Sequence, residues 1–468
     1  MRKTTLGVIV GCRGFFPAEL AREGRAEVLS VLKEKGIGAV ALTPKETKNG
    51  AVETLEDARA CAELFRKRAS EIDGVLVTLP NFGDEKAVAN TLRQAGLDVP
   101  VLVQAYPDEI GKMRMGQRRD SFCGKISVTN NLRQYGIPFS LTGMHTVSPR
   151  DPLFLSDLDR FTAACRVVKG LRGARFGAIG ARTGPFNTVR FSEKILEANG
   201  ISIETLDLSE VLAAIDRLSD TDSKVKTRLK AITRYVPAKG VPKGPLVKMA
   251  KLAAVIDRWM AENRLVGTAI QCWTAIEQIY GVVPCAVMSM MSDRLLPSAC
   301  EVDVGGVIAM YALQLASGSP SALLDWNNNY GEDPDRLVLF HCSNLPKSVF
   351  SSVQMTSHEI LRDSVGEANS YGVCVGRIAP GPFTFARVST FDNDGLIGAF
   401  VGEGELTDDP LDTFGGVGVA HITDLQVLLE YVCGMGFEHH VAISRSEVAD
   451  ALAEAFETYL GWDVYQHG

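Results

Sequence analysis

What most restricts this chain's fold is the alternation at its start between short apolar runs and helical stretches. LGVIVG (Leu6–Gly11) ends in glycine, Ala18 to Lys35 has helical spacing and stops at Gly36, and GAVAL follows. A charged helix from about Leu55 to Ile72, then GVLVTLP, a helix near Asp84–Ala95 and VPVLVQAYP repeat the pattern. Pro152 and a helix over Leu153–Gly170 close it. Strands separated by helices pair in parallel, with helices on both faces of the sheet.

A second unit of the same kind opens at ARFGAIGAR (Ala174–Arg182). The pattern predicts a helix starting near Asn187, a strand over Ser202–Leu208 and a loop over Val236–Pro245. A helix to Asn263 and the strands VGTAIQCW and VPCAVMSM follow. From about Asp325 the character changes. VLFHCSN, YGVCVGRI, FTFARVSTF and LIGAFVGEGEL are short β runs with turn residues, which predicts antiparallel, barrel-like or sandwich-like material. A helix near Glu447–Leu460 ends the chain. The expected fold class is α/β, with two Rossmann-like N-terminal domains (1–172 and 173–320) and a C-terminal β-rich, barrel-like domain (321–468). The 468 residues agree with about three domains.

Composition removes several classes of function. The chain has 49 basic and 56 acidic residues, a net charge of −7, which argues against nucleic-acid binding as the main role. The 46% apolar content is too high for disorder. The N-terminal apolar run leads straight into a glycine turn, unlike a secretory signal. The most apolar later stretch, Gly305 to Gly318, falls short of the ~20 residues that span a bilayer. Ten cysteines lie scattered with no CxxC pair, which points to reduced thiols and a cytoplasmic protein.

Candidate chemistry sits at the edges of elements. In ACEVDVGG, Glu301 and Asp303 precede an apolar helix, where carboxylates also serve simply to stabilise the helix N-terminus. In LLDWNNNYG, Asp325 ends an apolar run, a position where, taken alone, a turn-forming aspartate is the commoner outcome. His341 lies inside the β-like run LFHCSN, where a hydrogen-bonded core histidine is the commoner outcome. His439 and His440 are adjacent in GFEHHVAI, and neighbours in a strand point to opposite faces, so one can aim into a site while the other faces elsewhere. Carboxylates combined with neutral imidazoles make a hard, oxygen-rich ligand set suited to Mn2+, Fe2+, Co2+ or Mg2+. VGCRGFF and AIGARTG carry glycines after strands, but neither fits GxGxxG, so tight turns are expected and a dinucleotide-dependent dehydrogenase is disfavoured. RRDSFCGK has no histidine nearby to activate Cys123, and its Arg118, Arg119 and Lys125 read as a solvated loop, with a modest anion patch or a subunit contact as the alternatives.

Taken in order, VGCRGFFP, RRDSFCGKISVTNNLRQYGIPFSLT, FNTVRFSEKILEANGISIETLDLSE, IQCWTAIEQIYGVVPCAVMSMMSDRLLPSACEVDVGG, LVLFHCSN, RIAPGPFTFARVST, VGEGELTDDPLDTFGG and GFEHHVAI run through nearly the whole chain. With these blocks the sequence resembles the L-fucose/L-arabinose isomerase superfamily, and within it the shorter fucose-isomerase-like branch. The resemblance implies the same two Rossmann-like domains and C-terminal β domain, and an aldose–ketose isomerase dependent on a divalent metal, usually Mn2+. It implies Glu301 and Asp325 as metal-binding and catalytic carboxylates and His440, ahead of its neighbour His439, as the metal histidine. His341 matches a ligand of the arabinose branch. Arg13, Phe82 and Gln271 match sugar-contacting positions, the first two supplied by a neighbouring subunit, and His341 and His439 are expected to contact the sugar with them. A homo-oligomer, trimer or hexamer, with shared active sites follows from that arrangement.

On this reading the carboxylates move a proton through a cis-enediol. A metal-assisted hydride shift is the mechanistic rival. The substrate is a hexose or pentose, fucose-like or arabinose-like, or a sulfonated 6-deoxyhexose such as sulfoquinovose. A non-catalytic sugar-binding or sensing protein of the same fold is the alternative function.

Overall fold

The computed structural model describes residues 3–114 and 116–468. The chain divides into two compact units: one holds residues up to Lys169 together with Glu454–Gly461, the other Gly170–Ala453 and Trp462–Gly468.

The first unit is built on five parallel strands: β1 (Thr5–Val10), β2 (Gly38–Ala41), β3 (Gly74–Leu79), β4 (Val101–Ala105) and β5 (Ser140–Leu141), in the order β2-β1-β3-β4-β5. Alternation along β1 explains the two-sided core. Leu6, Val8 and Val10 pack with Val28, Val31 and Leu32 of the helix Ala18–Glu34, while Ile9 joins the opposite layer with Phe65, Val75, Val77 and Val88. The returning segment Glu454–Gly461 is tied in by Tyr459, whose hydroxyl donates to the Val101 carbonyl at 3.2 Å, and by the Arg160–Glu454 ion pair.

The second unit contains two sheets. Four parallel strands, β6 (Arg175–Ile179), β7 (Ser202–Leu206), β8 (Gly267–Ile270) and β9 (Ser298–Ala299), run in the order β7-β6-β8-β9. The remaining nine strands form a mixed, mostly antiparallel sheet: β10 (Ser321–Asn329), β11 (Arg336–His341), β12 (Phe350–Ser357), β13 (Tyr371–Ile378), β14 (Gly381–Phe391), β15 (Leu396–Thr407), β16 (Gly416–His421), β17 (His440–Ser444) and β18 (Asp463–His467). An additional β15–β16 pairing closes six of them into a barrel, β16-β11-β10-β17-β14-β15. Leu324, Leu339, Phe383, Phe385, Phe400, Leu406, Val441 and Ile443 fill its core. The expected α/β class with a barrel-like C-terminal part is therefore the observed one.

Three local expectations differ from the structure. VPCAVMSM is not a strand, because Cys285–Asp293 is a helix beginning after Pro284. Seven of its nine residues are buried, so the run is apolar on every side, and such a run carries no periodicity to separate helix from strand. The helix expected near Asn187 is a single tight turn; the α-helix starts at Glu193, where Ser192 caps it by accepting from the Ile195 amide. Lys125 is not in a solvated loop. It is buried within the helix Ser121–Gln134, donating to Thr142 Oγ1 at 2.7 Å, and burial lowers its pKa to about 8. Among the described residues, no helix is long and apolar enough to cross a membrane.

Candidate metal and substrate site

In an open parallel sheet, the crevice beyond the carboxyl ends of the strands, where strand order reverses, is the natural binding position. In the second unit the reversal lies at β6, whose neighbours are β7 and β8. The segments leaving this edge carry Phe186, Gln271–Trp273 and, after β9, Cys300–Asp303. Glu301 and Val302 both have left-handed backbones (φ 55° and 58°), a conformation non-glycine residues hold only when their surroundings impose it. This turn separates Glu301 from the helix Val304–Ser317. The helix is capped instead by Asp303, which accepts from the Gly306 amide at 2.9 Å.

The barrel supplies the other groups. Asp325 on β10 pairs with His440 at the start of β17, and across the other edge with Phe340, the residue before His341. Strand register thus puts the carboxylate beside the His440 imidazole. His440 Nε2 lies 3.4 Å from Asp325 Oδ1 and 3.7 Å from Glu301 Oε2. His341 Nε2 lies 3.8 Å from Glu301 Oε2, and His439 Nε2 lies 3.7 Å from Asp325 Oδ1. His440 is buried, whereas His439 is 41% exposed, the opposite outcomes expected of strand neighbours.

These separations are too long for hydrogen bonds. Glu301 Oε2, although buried, has no hydrogen-bond partner among the described residues. Two donors each about 2.1 Å from one cation lie about 3.0 Å apart at a right angle and about 3.4 Å at the tetrahedral angle. The observed spacing is slightly wider than that. A buried carboxylate oxygen with no partner, facing imidazole nitrogens at this range, fits a hard divalent cation. Glu301, His341 and His440 form one potential ligand group, and Asp325, His439 and His440 form another.

Groups behind the cluster hold it in place. Trp273 Nε1 donates to Glu301 Oε1 at 3.0 Å. Burial works against the Glu301 carboxylate, but His341, His440 and the Trp273 donor outweigh it and hold its pKa down to about 2. His440 Nδ1 lies 2.8 Å from Asp303 Oδ2. Burial disfavours the His440 cation as well, yet the Asp303 bond and the charges of Asp303, Glu301 and Asp325 raise its pKa above the ordinary histidine value. With Asp303 taking the Nδ1 proton, Nε2 is left to face Glu301 and Asp325, the arrangement that fixes a ligating histidine.

Asp303 is itself gripped by Arg387 of β14, whose Nη2 donates to Oδ1 at 2.9 Å and whose Nη1 donates to Oδ2. Arg387 also donates through Nε to Glu438 at 2.9 Å, and Ser389 closes the network on Glu438 at 2.8 Å. The strand and helix approach closely here. A Cβ on Gly305 would stand 2.4 Å from the Val388 carbonyl, so only glycine admits the contact.

Gln271 lies at the same edge, where its Oε1 accepts from the Ala181 amide at 3.0 Å. Arg13 and Phe82 belong to the first unit and meet each other there. They follow β1 and β3, on either side of that sheet's own reversal of order. The Arg13 guanidinium stacks 4.3 Å from the Phe82 ring centroid and is paired with Glu85. Asn81, fully buried, accepts from the amides of Arg13 and Gly83 and ties the two loops together.

Sequence reasoning did not find Arg387, Glu438, Trp273 or Phe186. Phe186 stands edge-on to Trp273 and His439, with centroids 5.5 and 5.6 Å away, and walls this side of the cluster. The available signal for the network was an arginine inside the apolar run FTFARVSTF, since a buried strand arginine requires carboxylate partners.

Residues 7–172 match the family described as fucose/sulfoquinovose isomerase, N-terminal domain, and residues 339–467 match L-fucose isomerase, C-terminal domain. A sulfoquinovose isomerase of Priestia aryabhattai is 23% identical over 461 residues, covering 97% of each chain. Sulfoquinovose isomerases of Alkalicoccus urumqiensis (21% identical, 82% of this chain and 84% of the relative) and of Clostridium sp. (strain MSTE9) (23%, 72% and 74%) are also similar. The chain belongs to the fucose-isomerase-like family and is an enzyme that interconverts aldoses and ketoses.

Proposed function

We propose that Glu301, Asp325 and His440 hold one divalent cation, with His341 and His439 at its margin, and that the enzyme moves a proton between C2 and C1 of an open-chain sugar through a cis-enediol. The observation that carries this reading is the partnerless, buried Glu301 Oε2 facing two imidazole nitrogens. Mn2+ suits the donor set, as do Mg2+, Co2+ and Fe2+; such a cation polarises the sugar's carbonyl and neighbouring hydroxyl and so acidifies the C2 proton.

The chain's residues divide the remaining work. Glu301, ionised, buried and tied to Trp273, is an anchor. Asp325 is 20% exposed, against 6% for Glu301, and is the group placed to take the C2 proton and return it at C1. Burial and the His440 charge keep the His439 pKa below the ordinary value, so at neutral pH it is an uncharged imidazole able to pass the hydroxyl proton between sugar oxygens.

Arg13, Phe82 and Gln271 would contact the sugar, the first two across an interface with a neighbouring copy in a homo-oligomer, trimer or hexamer. We place the enzyme in the cytoplasm on its scattered cysteines. The substrate is a fucose-like or arabinose-like aldose or, given the names of the curated relatives, sulfoquinovose, which is the first sugar to assay.

The test is turnover in heavy water. Deuterium should enter the product at C1 or C2, and Glu301→Gln and Asp325→Asn should each abolish the exchange. Product free of deuterium points to a hydride shift, and full activity in either variant removes the residue assignment.

A further inference from the structure

The opposite edge of Glu301 faces sulfur. Cys272 Sγ lies 3.5 Å from Glu301 Oε1, and Cys272, Cys300 and Glu301 each present a donor atom within 4.8 Å of the others. Cys300 contacts Cys285, and Cys285 contacts Cys342, the neighbour of His341. Four thiols that are far apart in sequence thus cluster together, and Cys272 and Cys300 bring the cluster to Glu301. Cys272, Cys285 and Cys300 are at most 3% exposed. Buried cysteines that act only as small apolar side chains have no need of a carboxylate among them.

We propose that Cys272 and Cys300, with Glu301 as third ligand, form a second cation site for a thiophilic metal such as Zn2+ or Cd2+, and that filling it inhibits the enzyme by drawing Glu301 away from the histidines. Each thiol gives its proton to solvent as its sulfur bonds the cation, so two protons leave for each ion bound and no oxidant or reductant is involved. Sulfur and carboxylate donors about 2.3 and 2.1 Å from one ion lie within about 3.8 Å of each other, and Cys272 Sγ and Glu301 Oε1 already stand 3.5 Å apart. Softness separates the two sites: thiolates select Zn2+ and Cd2+, whereas the carboxylate–imidazole set accepts Mn2+ and Mg2+. The inhibition rests on the metal-isomerase reading; the binding does not.

The experiment uses the full chain, with the exposed Cys123 and Cys433 changed to serine to remove competing thiols. Cd2+ is added while the ultraviolet sulfur-to-cadmium charge-transfer absorption and the Mn2+-supported turnover are followed together. One equivalent should develop the band and suppress turnover in parallel. Cys300→Ser should abolish the band and raise the half-inhibitory Cd2+ concentration at least tenfold; Cys272→Ser, read by the same band, serves if the first variant does not fold. Inhibition without a band, or a band that survives both substitutions, overturns the proposal. If no turnover is found with any sugar, the band alone still decides whether the site exists.

Discussion

Asp303→Asn tests the support behind His440 at almost constant volume. Asp303 is completely buried and accepts four hydrogen bonds: Oδ1 takes the Gly306 amide and Arg387 Nη2, and Oδ2 takes Arg387 Nη1 and His440 Nδ1. All four partners are donors. An asparagine has one acceptor oxygen, so either orientation of its amide turns an NH2 towards two donors. Two bonds to a charged group are lost, each worth about 1.5–3 kcal/mol. The sum, about 3–6 kcal/mol, brackets the roughly 3–5 kcal/mol typical of breaking a buried ion pair. The variant should therefore unfold in urea with a stability lower by about 3–5 kcal/mol. His440 would also lose the group that fixes its ring, and outer groups of this kind are worth about 10–100-fold in metal affinity. Mn2+ titration calorimetry on the folded variant reads that loss. A wild-type urea midpoint together with wild-type Mn2+ affinity would refute the claim that Asp303 orients His440.

Glu277 is fully buried, neither carboxylate oxygen has a partner among the described residues, and burial pushes its pKa up to about 8. The folded state holds this proton while the unfolded state releases it near pH 4.5, so stability falls as pH rises from about 4.5 to 8. Glu277→Gln should thus gain several kcal/mol more at pH 8 than at pH 5 in urea unfolding, and equal gains at both pH values would contradict the burial argument. Because the His440 pKa is raised, a cation displaces a proton from it below that pKa. Mn2+ affinity should weaken as pH falls, and calorimetry at pH ~6.5 in buffers of different ionisation heat should show proton release. Identical heats in all buffers would mean that His440 does not ligate. If Arg13 and Phe82 act across a subunit interface, activity and assembly mass should be lost together on dilution, and a fully active monomer would end that reading.

Legibility in the sequence followed the range of the interactions. Local patterning showed the strand–helix alternation that the two parallel sheets display, and the turn-rich short runs that close into the barrel. Glu301, His341, His439 and His440 were recognisable because they stand at or beside strand ends, and strand register then sets Asp325, in the middle of β10, against His440. Arg387, Glu438 and Asp303 were harder. Their association is created by β14 crossing the N-terminus of the helix Val304–Ser317, a contact between residues 84 positions apart. Cys285–Asp293 was misjudged because it is surrounded by apolar side chains, and Lys125 because its charge is satisfied by Thr142 and by loop carbonyls distant in sequence.

The central claim is that one cation joins Glu301, Asp325 and His440. Anomalous diffraction at the manganese edge, on crystals grown with Mn2+, tests it directly. The account predicts a single strong peak per subunit within coordination distance, about 2.1–2.3 Å, of a Glu301 oxygen, an Asp325 oxygen and His440 Nε2. A peak bound by other side chains, or none at saturating Mn2+, would contradict it.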